Sequence, residues 1–524
     1  MPMTPGSLQP YALTVDKFLD HAGKWHPNAE IVTAGDDGGS TRGTYAEVRE
    51  RAQGISARLT ELGVKPGDTV ATLAWNTRAH VEVWFAAMGM GAVCHTLNPR
   101  LTADSSAAMA RQSGARILVA SADLADLASA IAVGAPEIAE VLIIDGSHPP
   151  MSELSPLSGA HVHWGDFDEN APCGLCFTSG TTGEPKGVTY THRGNYLHTL
   201  RLLQADVAGI SSSDAVLVAV PMFHANAWGL PFAVPAVGGK LVLPGRHLDG
   251  ASLARLIREE GVSIAVGVPT VWLGLIDHLD AEGLEVPTLR RIMVGGAPMP
   301  QALMERIEAR GIEVQTTWGM TELSPLGTAT PPNARDRDPS TSGKPALGVD
   351  LAITDAAGRM LDNQRESEGH LWVRGPSVVE RYYGQDDAAT RDGWFATGDL
   401  ARIGSDGSLT LTGRSKDLIK SGGEWINPAQ IEAAVNTHPD VANAAVIGRE
   451  DEKWGERPIL LVELVDGAVP TDAELLAPVR ESCAGWWVPD TVIRLPAIPL
   501  AATGKIDKLR LRQEFGRARA EVER

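Results

Sequence analysis

Cys173-Gly174-Leu175-Cys176-Phe177 runs directly into Thr178-Ser179-Gly180-Thr181-Thr182-Gly183-Glu184-Pro185-Lys186-Gly187-Val188. The first five residues form an apolar run of strand length. The stretch that follows sets hydroxyls between glycines and closes on a proline, a lysine and another glycine. Glycines let a backbone take positive φ and come close to a ligand. Successive free N–H groups in such a turn form an anion-binding nest, to which hydroxyls add donors. With Lys186 at the rim, polyphosphate is the natural guest. The spacing is not G-x-x-x-x-G-K-[ST], because Gly187 follows Lys186, so this is not a Walker A loop. A flexible Gly/Thr surface turn is the alternative that the stretch alone leaves open.

Working outward, helical periodicity alternates with short apolar strands. Thr44–Leu62 reads as a helix and Asp68–Trp75 as a strand; Ala79–Met90 and Ala92–Leu97 repeat the pair. Thr102–Ser113 with Arg116–Ser121, and then Val141–Asp145, continue the series. Past the Gly/Thr stretch come helix Asn195–Gln204, strand Ala215–Val220, and the pairs Ala251–Glu260 with Ser263–Val268 and Gln301–Arg310 with Glu313–Thr317. Alternation of this kind indicates an α/β fold with mostly parallel sheets covered on both faces. Ligands of such sheets sit beyond the carboxyl ends of the strands. Thr178, His224 in Pro221–Gly229 and Thr321 in Trp318–Glu322 all follow strands, a placement suited to lining one crevice.

Pro331–Ser342 reads as a polar, proline-rich connection. Beyond it the short strands Leu351–Thr354, His370–Val373, Leu400–Ile403 and Leu409–Thr412, separated by Asp/Gly turns, suggest a small antiparallel barrel over about 343–413. The remainder reads as helix Pro428–Asn436, strands Ala444–Ile447 and Pro458–Leu464, helix Asp472–Cys483 and strand Thr491–Leu495. That is a small α+β domain. The expected organisation is an N-terminal domain over 1–413, built of two parallel-sheet subdomains and the barrel. A hinge follows at 414–416, and then a C-terminal domain over 417–524.

At 524 residues and 43% apolar content the chain is long enough for several cored domains. A net charge of −19 speaks against nucleic-acid or anionic-membrane partners, and gives weight to any local cluster of lysines and arginines. Four scattered cysteines make no disulfide framework, and Cys173-x-x-Cys176 lies in an apolar run, so redox and zinc roles are disfavoured. Met1–Val15 is no signal peptide, no run nears membrane-span length, and Glu521–Arg524 is no peroxisomal address. A soluble cytoplasmic protein is therefore expected.

Singly, the remaining candidates are ambiguous. Glu322 reads equally as a surface carboxylate, His224 as a satisfied core histidine, Asp399 as a turn aspartate and Lys505 as a solvated lysine. Their order changes the reading. Thr178–Val188, Trp318-Gly319-Met320-Thr321-Glu322, Thr397-Gly398-Asp399, Arg414–Trp425 and Thr503-Gly504-Lys505 resemble, in sequence, the signatures of the adenylate-forming superfamily, and the resemblance spans nearly the whole chain. Val220–Gly229, Trp318–Gly327, Ser421–Ile426 and Trp486–Asp490 look like the branch of medium- and long-chain fatty-acyl-CoA and methylmercaptopropionate-CoA ligases.

The resemblance implies a two-step reaction. A carboxylic acid attacks the α-phosphate of ATP to give acyl-adenylate and pyrophosphate, and coenzyme A then displaces AMP. By position, Thr178, Ser179, Gly180, Thr181, Thr182, Gly183 and Lys186 would hold the β- and γ-phosphates. Thr321 would bond the α-phosphate, and Glu322 with Thr178 would bind Mg²⁺, an ion that needs few carboxylates. Gly296 and Trp318 would flank adenine. Asp399 would accept from ribose, with Arg414 assisting, Lys416 at the hinge, and Lys420 and Trp425 near the nucleotide. Lys505 would bridge carboxylate and phosphate during adenylation, a task suited to a point charge on a flexible stem. His224 would stand near the reacting carboxylate, Trp228 would gate an acyl pocket that includes Gly295 and Ala297, and Ser421, Gly422 and Gly423 would meet coenzyme A. Rotation about the hinge would separate the half-reactions, and the branch suggests a homodimer. A phosphopantetheine carrier in place of coenzyme A stays open. The sequence departs from the family pattern at Leu500, where a lysine is common, and in the short Pro331–Ser342 linker.

Overall fold

The computed structural model describes residues 8–178, 185–334, 337–422, 424–500 and 506–517. Ser179, Gly180, Thr181, Thr182, Gly183, Gly423 and Lys505 fall outside them. The chain forms two compact units, one of residues up to Val349 together with Arg374–Phe395, the other of Asp350–Val373 together with Ala396 onward.

The first unit contains two sheets. One has seven strands in the order 152–153, 140–143, 117–120, 69–73, 93–96, 172–178, 186–191. The other has nine, in the order 344–345, 326–329, 313–319, 291–294, 264–267, 215–218, 240–243, 30–34, 40–44. Inner pairs are parallel; antiparallel strands lie at both ends of the nine-stranded sheet and at one end of the seven-stranded sheet, Pro172–Thr178 against Lys186–Thr191, while 152–153 runs parallel to 140–143 at the other. The inner strands Val93–Thr96, Ile117–Ala120 and Ile264–Gly267 are buried at every residue, the mark of a sheet covered on both faces. Leu253, Leu256 and Ile257 from one helix, Trp272, Leu275 and Leu279 from a second and Leu303, Met304 and Ile307 from a third close over Leu217, Ala265, Ile292 and Val314. The helix expected at Thr44–Leu62 spans Tyr45–Glu61 because Thr44 and Glu47 form a reciprocal capping box; such a cap contributes about 1 kcal/mol.

The second unit also holds two sheets. The second of these carries Val441–Asp451 antiparallel to Gly455–Leu464, with Thr491–Arg494 parallel on the far side. Alternate residues of the central pair face opposite ways. Val446, Leu460 and Val462 pack with Ile431, Val435, Leu475 and Val479 from two helices. Ala445, Ile447, Ile459 and Leu461 pack with Ile498 and Leu511.

Among the described residues, the short strands about 350–414 pair into one five-stranded sheet. Of these, Asp350–Val373 and Ala396–Arg414 group with the second unit. Hydrogen bonding explains the grouping. Asn427 Nδ2 donates to Thr412 O at 2.6 Å, and His370 Nδ1 lies 2.9 Å from Ser415 Oγ. Asp399 is not a turn residue: Trp394–Ile403 is one strand, with Asp399 paired to Arg414 and a register shift just after it. Among the described residues, no helix is long and apolar enough to cross a membrane.

Candidate active site

In the first unit, Thr178 and Lys186 are paired across the antiparallel strands that flank the Gly/Thr stretch, and the Thr178 hydroxyl donates to Lys186 O at 3.4 Å. The Lys186 ammonium stands 4.9 Å from the centre of the Tyr382 ring, a cation–π contact. The Tyr382 hydroxyl donates to Glu322 Oε1 at 3.1 Å. Tyr190, farther along the strand of Lys186, donates its hydroxyl to Thr321 O at 3.0 Å. Two tyrosines thereby join the strand pair around the Gly/Thr stretch to the Thr321–Glu322 turn.

That turn is irregular by construction. The strand register shifts between Trp318 and Gly319, and Ser324 takes a left-handed φ of 74°. Short polar bonds pin the turn from the other side. Val379 N donates to Glu322 O at 2.7 Å, Ser377 Oγ to Leu323 O at 3.1 Å, and Ser324 Oγ to Ser377 O at 3.0 Å. Arg201 donates to Leu326 O at 3.0 Å and Ser377 Oγ at 2.9 Å, and burial pulls its guanidinium pKa down to about 10. His198, buried and held neutral by desolvation, accepts Leu326 N–H on Nε2 at 3.2 Å. That bond fixes its proton on the other ring nitrogen.

The segment after strand Ala215–Val218 is strained. Ala225, Asn226, Ala227 and Trp228 take φ of 45°, 52°, 46° and 56°. Left-handed backbone costs about 1–2 kcal/mol per residue for a side chain larger than glycine. The turn is held by Ala225 N–H on Cys176 Sγ at 3.4 Å and by close packing of Gly229 on the His198 ring. Trp228 reaches Gly295: a Cβ added there would lie 2.9 Å from the indole and 2.5 Å from Thr317 Oγ1. Gly296 follows at φ 80°, then Ala297; Trp318 is buried against Gly327, and His224 is half-buried at the head of the strained turn. The Cys173 and Cys176 thiols are buried, and desolvation pushes them up to about 12 and about 11, which makes them poor nucleophiles.

In the second unit, Arg414 Nε meets Asp399 Oδ1 at 2.7 Å, and Asp399 is buried. Thr397 Oγ1 donates to Leu371 O at 2.8 Å and accepts Asp399 N–H at 3.1 Å, which fixes the carboxylate's backbone. The Lys416 ammonium is pushed down by burial, with Arg414 and Arg512 adding repulsion while Asp417 and Asp399 oppose it. Lys420 and Trp425 are cross-strand partners, the ammonium 5.6 Å from an indole that is half exposed. Gly422, at φ 60°, packs so closely on Trp454 that a Cβ would lie 2.6 Å from the ring. Ser421 Oγ accepts from Arg457 at 3.3 Å, and Arg457 forks onto Asp490 at 2.7 and 2.9 Å and donates to Trp486 O at 2.7 Å.

Thr178, Lys186, Thr321 and Glu322 are thus gathered in one unit with Trp228 and Gly295, and Asp399, Arg414 and Lys416 in the other. Sequence reading passed over Tyr190, Tyr382, Arg201, His198 and Arg457. A usable signal existed for the tyrosines: the chain has six, and Tyr382-Tyr383 are adjacent. One carboxylate and one hydroxyl, Glu322 and Thr178, suit Mg²⁺, which keeps most of its shell for water and phosphate. Among the described residues no group of three or more His, Cys, Asp or Glu is assembled for a metal.

Residues 19–383 match the family described as AMP-binding enzyme, and residues 430–505 its C-terminal domain. The chain is 40% identical to a 3-methylmercaptopropionyl-CoA ligase of Ruegeria lacuscaerulensis, over 97% of this chain and 98% of that one. It is 38% identical to a medium-chain-fatty-acid–CoA ligase of Ectopseudomonas oleovorans, over 98% and 97%. Its fold superposes with a TM-score of 0.82 on o-succinylbenzoate coenzyme A synthetase of Bacillus subtilis in complex with ATP and magnesium ion, at 26% identity over 95% of this chain and 99% of that one. A glycine- and threonine-rich stretch between paired strands, a Thr-Glu turn tied to it by two tyrosines, and full-length similarity converge: this chain belongs to the AMP-binding, adenylate-forming enzyme family.

Proposed function

We propose that this protein is an ATP-dependent acyl-CoA synthetase acting on a medium-chain fatty acid or a comparably small apolar acid such as 3-methylmercaptopropionate. The acid's carboxylate oxygen attacks the α-phosphorus of ATP, the bond to the bridging oxygen of pyrophosphate breaks, and acyl-adenylate forms. The thiol of coenzyme A then attacks the acyl carbon, gives up its proton and expels AMP. Phosphoryl transfer of this kind depends on positioning and charge neutralisation more than on covalent help.

The observation that carries the reading is the chain of contacts from Lys186 through Tyr382 to Glu322, with Tyr190 holding Thr321. It sets a cation, a carboxylate and a hydroxyl side by side at the ends of two strands. Lys186 and the Gly/Thr stretch take the β- and γ-phosphates, and Thr321 takes the α-phosphate. Mg²⁺ held by Glu322 and Thr178 would neutralise phosphate charge. Asp399, oriented by Arg414, accepts from ribose; Lys505 supplies the positive charge for adenylation; the chain turns at Arg414–Lys416 between half-reactions. Trp228 seated on Gly295 bounds the acyl pocket.

The test is AMP release with coenzyme A across straight-chain acids, 3-methylmercaptopropionate and arylalkanoates, with acid-dependent ATP–pyrophosphate exchange measured beside it. Exchange with thioester formation supports the reading. Exchange with transfer only to a holo-carrier protein would move the acceptor, and no exchange with any acid would overturn it.

A further inference from the structure

The turn Ser415–Asp417 follows strand Leu409–Arg414 immediately, and its last residue is not free. Asp417 Oδ1 accepts from Arg512 at 2.7 Å, the aspartate side chain 13% exposed and the arginine 33%. Arg512 lies on helix Lys508–Phe515, which begins three residues after Lys505. That helix is fixed to the body of the second unit in two ways. Leu511 is fully buried in the core, and Lys508 pairs at 2.6 Å with Glu432, a carboxylate that also accepts Val446 N–H at 2.6 Å. Asp507 caps the helix through Arg510 N at 3.0 Å. On the other flank of Lys505, Asp507 N donates to Pro499 O at 2.9 Å, and Leu500 is bridged to Ile506.

Charge arithmetic singles out the pair. Arg414, Lys416 and Arg512 interact electrostatically, and two carboxylates answer them, Asp399 on Arg414 and Asp417 on Arg512. The Asp399 pair belongs to the nucleotide reading. The Asp417 pair joins the turn beside Lys416 to the helix behind Lys505, and no step of the mechanism uses it.

We infer that Asp417 and Arg512 are positioning residues: their ion pair clasps the turn at Lys416 to the helix that begins three residues after Lys505, and so ties the hinge to the stretch of chain on which the proposed adenylation lysine lies. The inference rests on the proposed role of Lys505. Both side chains are spent on each other, and their effect runs through the lysine.

The clasp predicts an uneven effect on the two half-reactions. Asp417→Asn and Arg512→Gln should each slow acid-dependent ATP–pyrophosphate exchange about tenfold, the order expected when a catalytic group is slightly misplaced. The KM for ATP and the rate of thioester formation from supplied acyl-adenylate should change less than about twofold, because the effect lies in geometry during one step only. The charge-swapped pair, Asp417→Arg with Arg512→Asp, should recover most of the exchange, and Arg512→Lys should retain it in part. Equal loss of both half-reactions, no loss in either single variant, or no recovery in the swap would overturn the clasp. Lys505→Ala separates the two failures. Exchange lost there but intact in Asp417→Asn sinks the clasp alone; exchange retained there sinks the reading beneath it.

Discussion

The Thr321–Glu322 turn of the first unit and the Arg414–Asp417 turn of the second are held by different physics. The first is buried and pinned by bonds in which carbonyls, hydroxyls and a neutral histidine take most of the acceptor roles. Its one buried cation, Arg201, spends its donors on a carbonyl and a serine hydroxyl. The second is held by ion pairs that water partly reaches, Arg414–Asp399 and Arg512–Asp417. Buried bonds of the first kind are costly to leave unmade, about 1–3 kcal/mol for each orphaned group. Part-exposed pairs contribute about 0–1 kcal/mol and are screened by salt. The first turn owes its geometry to buried bonds that salt does not reach, and the second to charge pairing that water and salt can weaken.

The sharpest way to break this contrast is to remove the charge proposed to serve adenylation. Lys505→Ala should lower acid-dependent ATP–pyrophosphate exchange by about 10²–10³, the scale of losing one preorganised stabilising group. Thioester formation from supplied acyl-adenylate should persist. If both half-reactions fell together, the division of labour between the units would be wrong.

The next largest effect tests the rigid turn. Tyr190→Phe leaves the buried Thr321 carbonyl without its donor, so both stability and exchange should fall, stability by about 1–3 kcal/mol in a urea titration. Tyr382 is only partly buried, and its hydroxyl bonds the Glu322 carboxylate. Tyr382→Phe should therefore raise the Mg²⁺ concentration needed for half-maximal exchange several-fold, with little change in the urea midpoint. Equal behaviour of the two variants would deny that Tyr382 acts through Glu322.

A smaller effect is expected at the proposed acyl pocket. Gly295→Ala places a methyl 2.5 Å from Thr317 Oγ1 and 2.9 Å from the Trp228 ring, so one of them must move. Overpacking of this kind costs about 1–3 kcal/mol, and here it should appear as a shifted acid chain-length profile with exchange on short acids kept. An unchanged profile would remove Trp228 and Gly295 from the pocket wall.

Much of this was legible in the sequence wherever local chemistry decides. Thr44 with Glu47 announces a capping box, and the helix begins where that box requires. The alternating strands fall within a residue or two of their expected bounds because their apolar runs are mostly buried. The helix Ala125–Gly134 escaped because Ala-Asp-Leu-Ala-Ser-Ala-Ile-Ala carries little contrast between faces. Tyr190 and Tyr382 escaped for another reason. Each meets its partner across more than fifty residues of chain, through pairing and packing that no local pattern records. Taken singly, Asp399 also read as a turn aspartate because Gly398 precedes it, but that glycine, at φ 76°, sits inside a ten-residue strand.

The smallest effect probes the charge-held side directly. Arg457 forks onto Asp490 and holds its carboxyl below the usual carboxylate range. A depressed carboxyl pKa stabilises the fold above the unfolded value, about 3.9, and that stabilisation is lost as pH falls through the folded value. Because Asp490 is half exposed, screening holds the contribution to under about 1 kcal/mol. Asp490→Asn should therefore lower the thermal midpoint slightly at pH 7, and the gap from the unsubstituted protein should narrow as pH falls below the unfolded carboxylate value of about 3.9. High salt at pH 7 should narrow the same gap, whereas the deficit of Tyr190→Phe should not respond to salt. A salt-insensitive Asp490→Asn deficit would mean that Arg457 acts through its bonds to Trp486 O and Ser421 Oγ, and the second unit would then be held much as the first is.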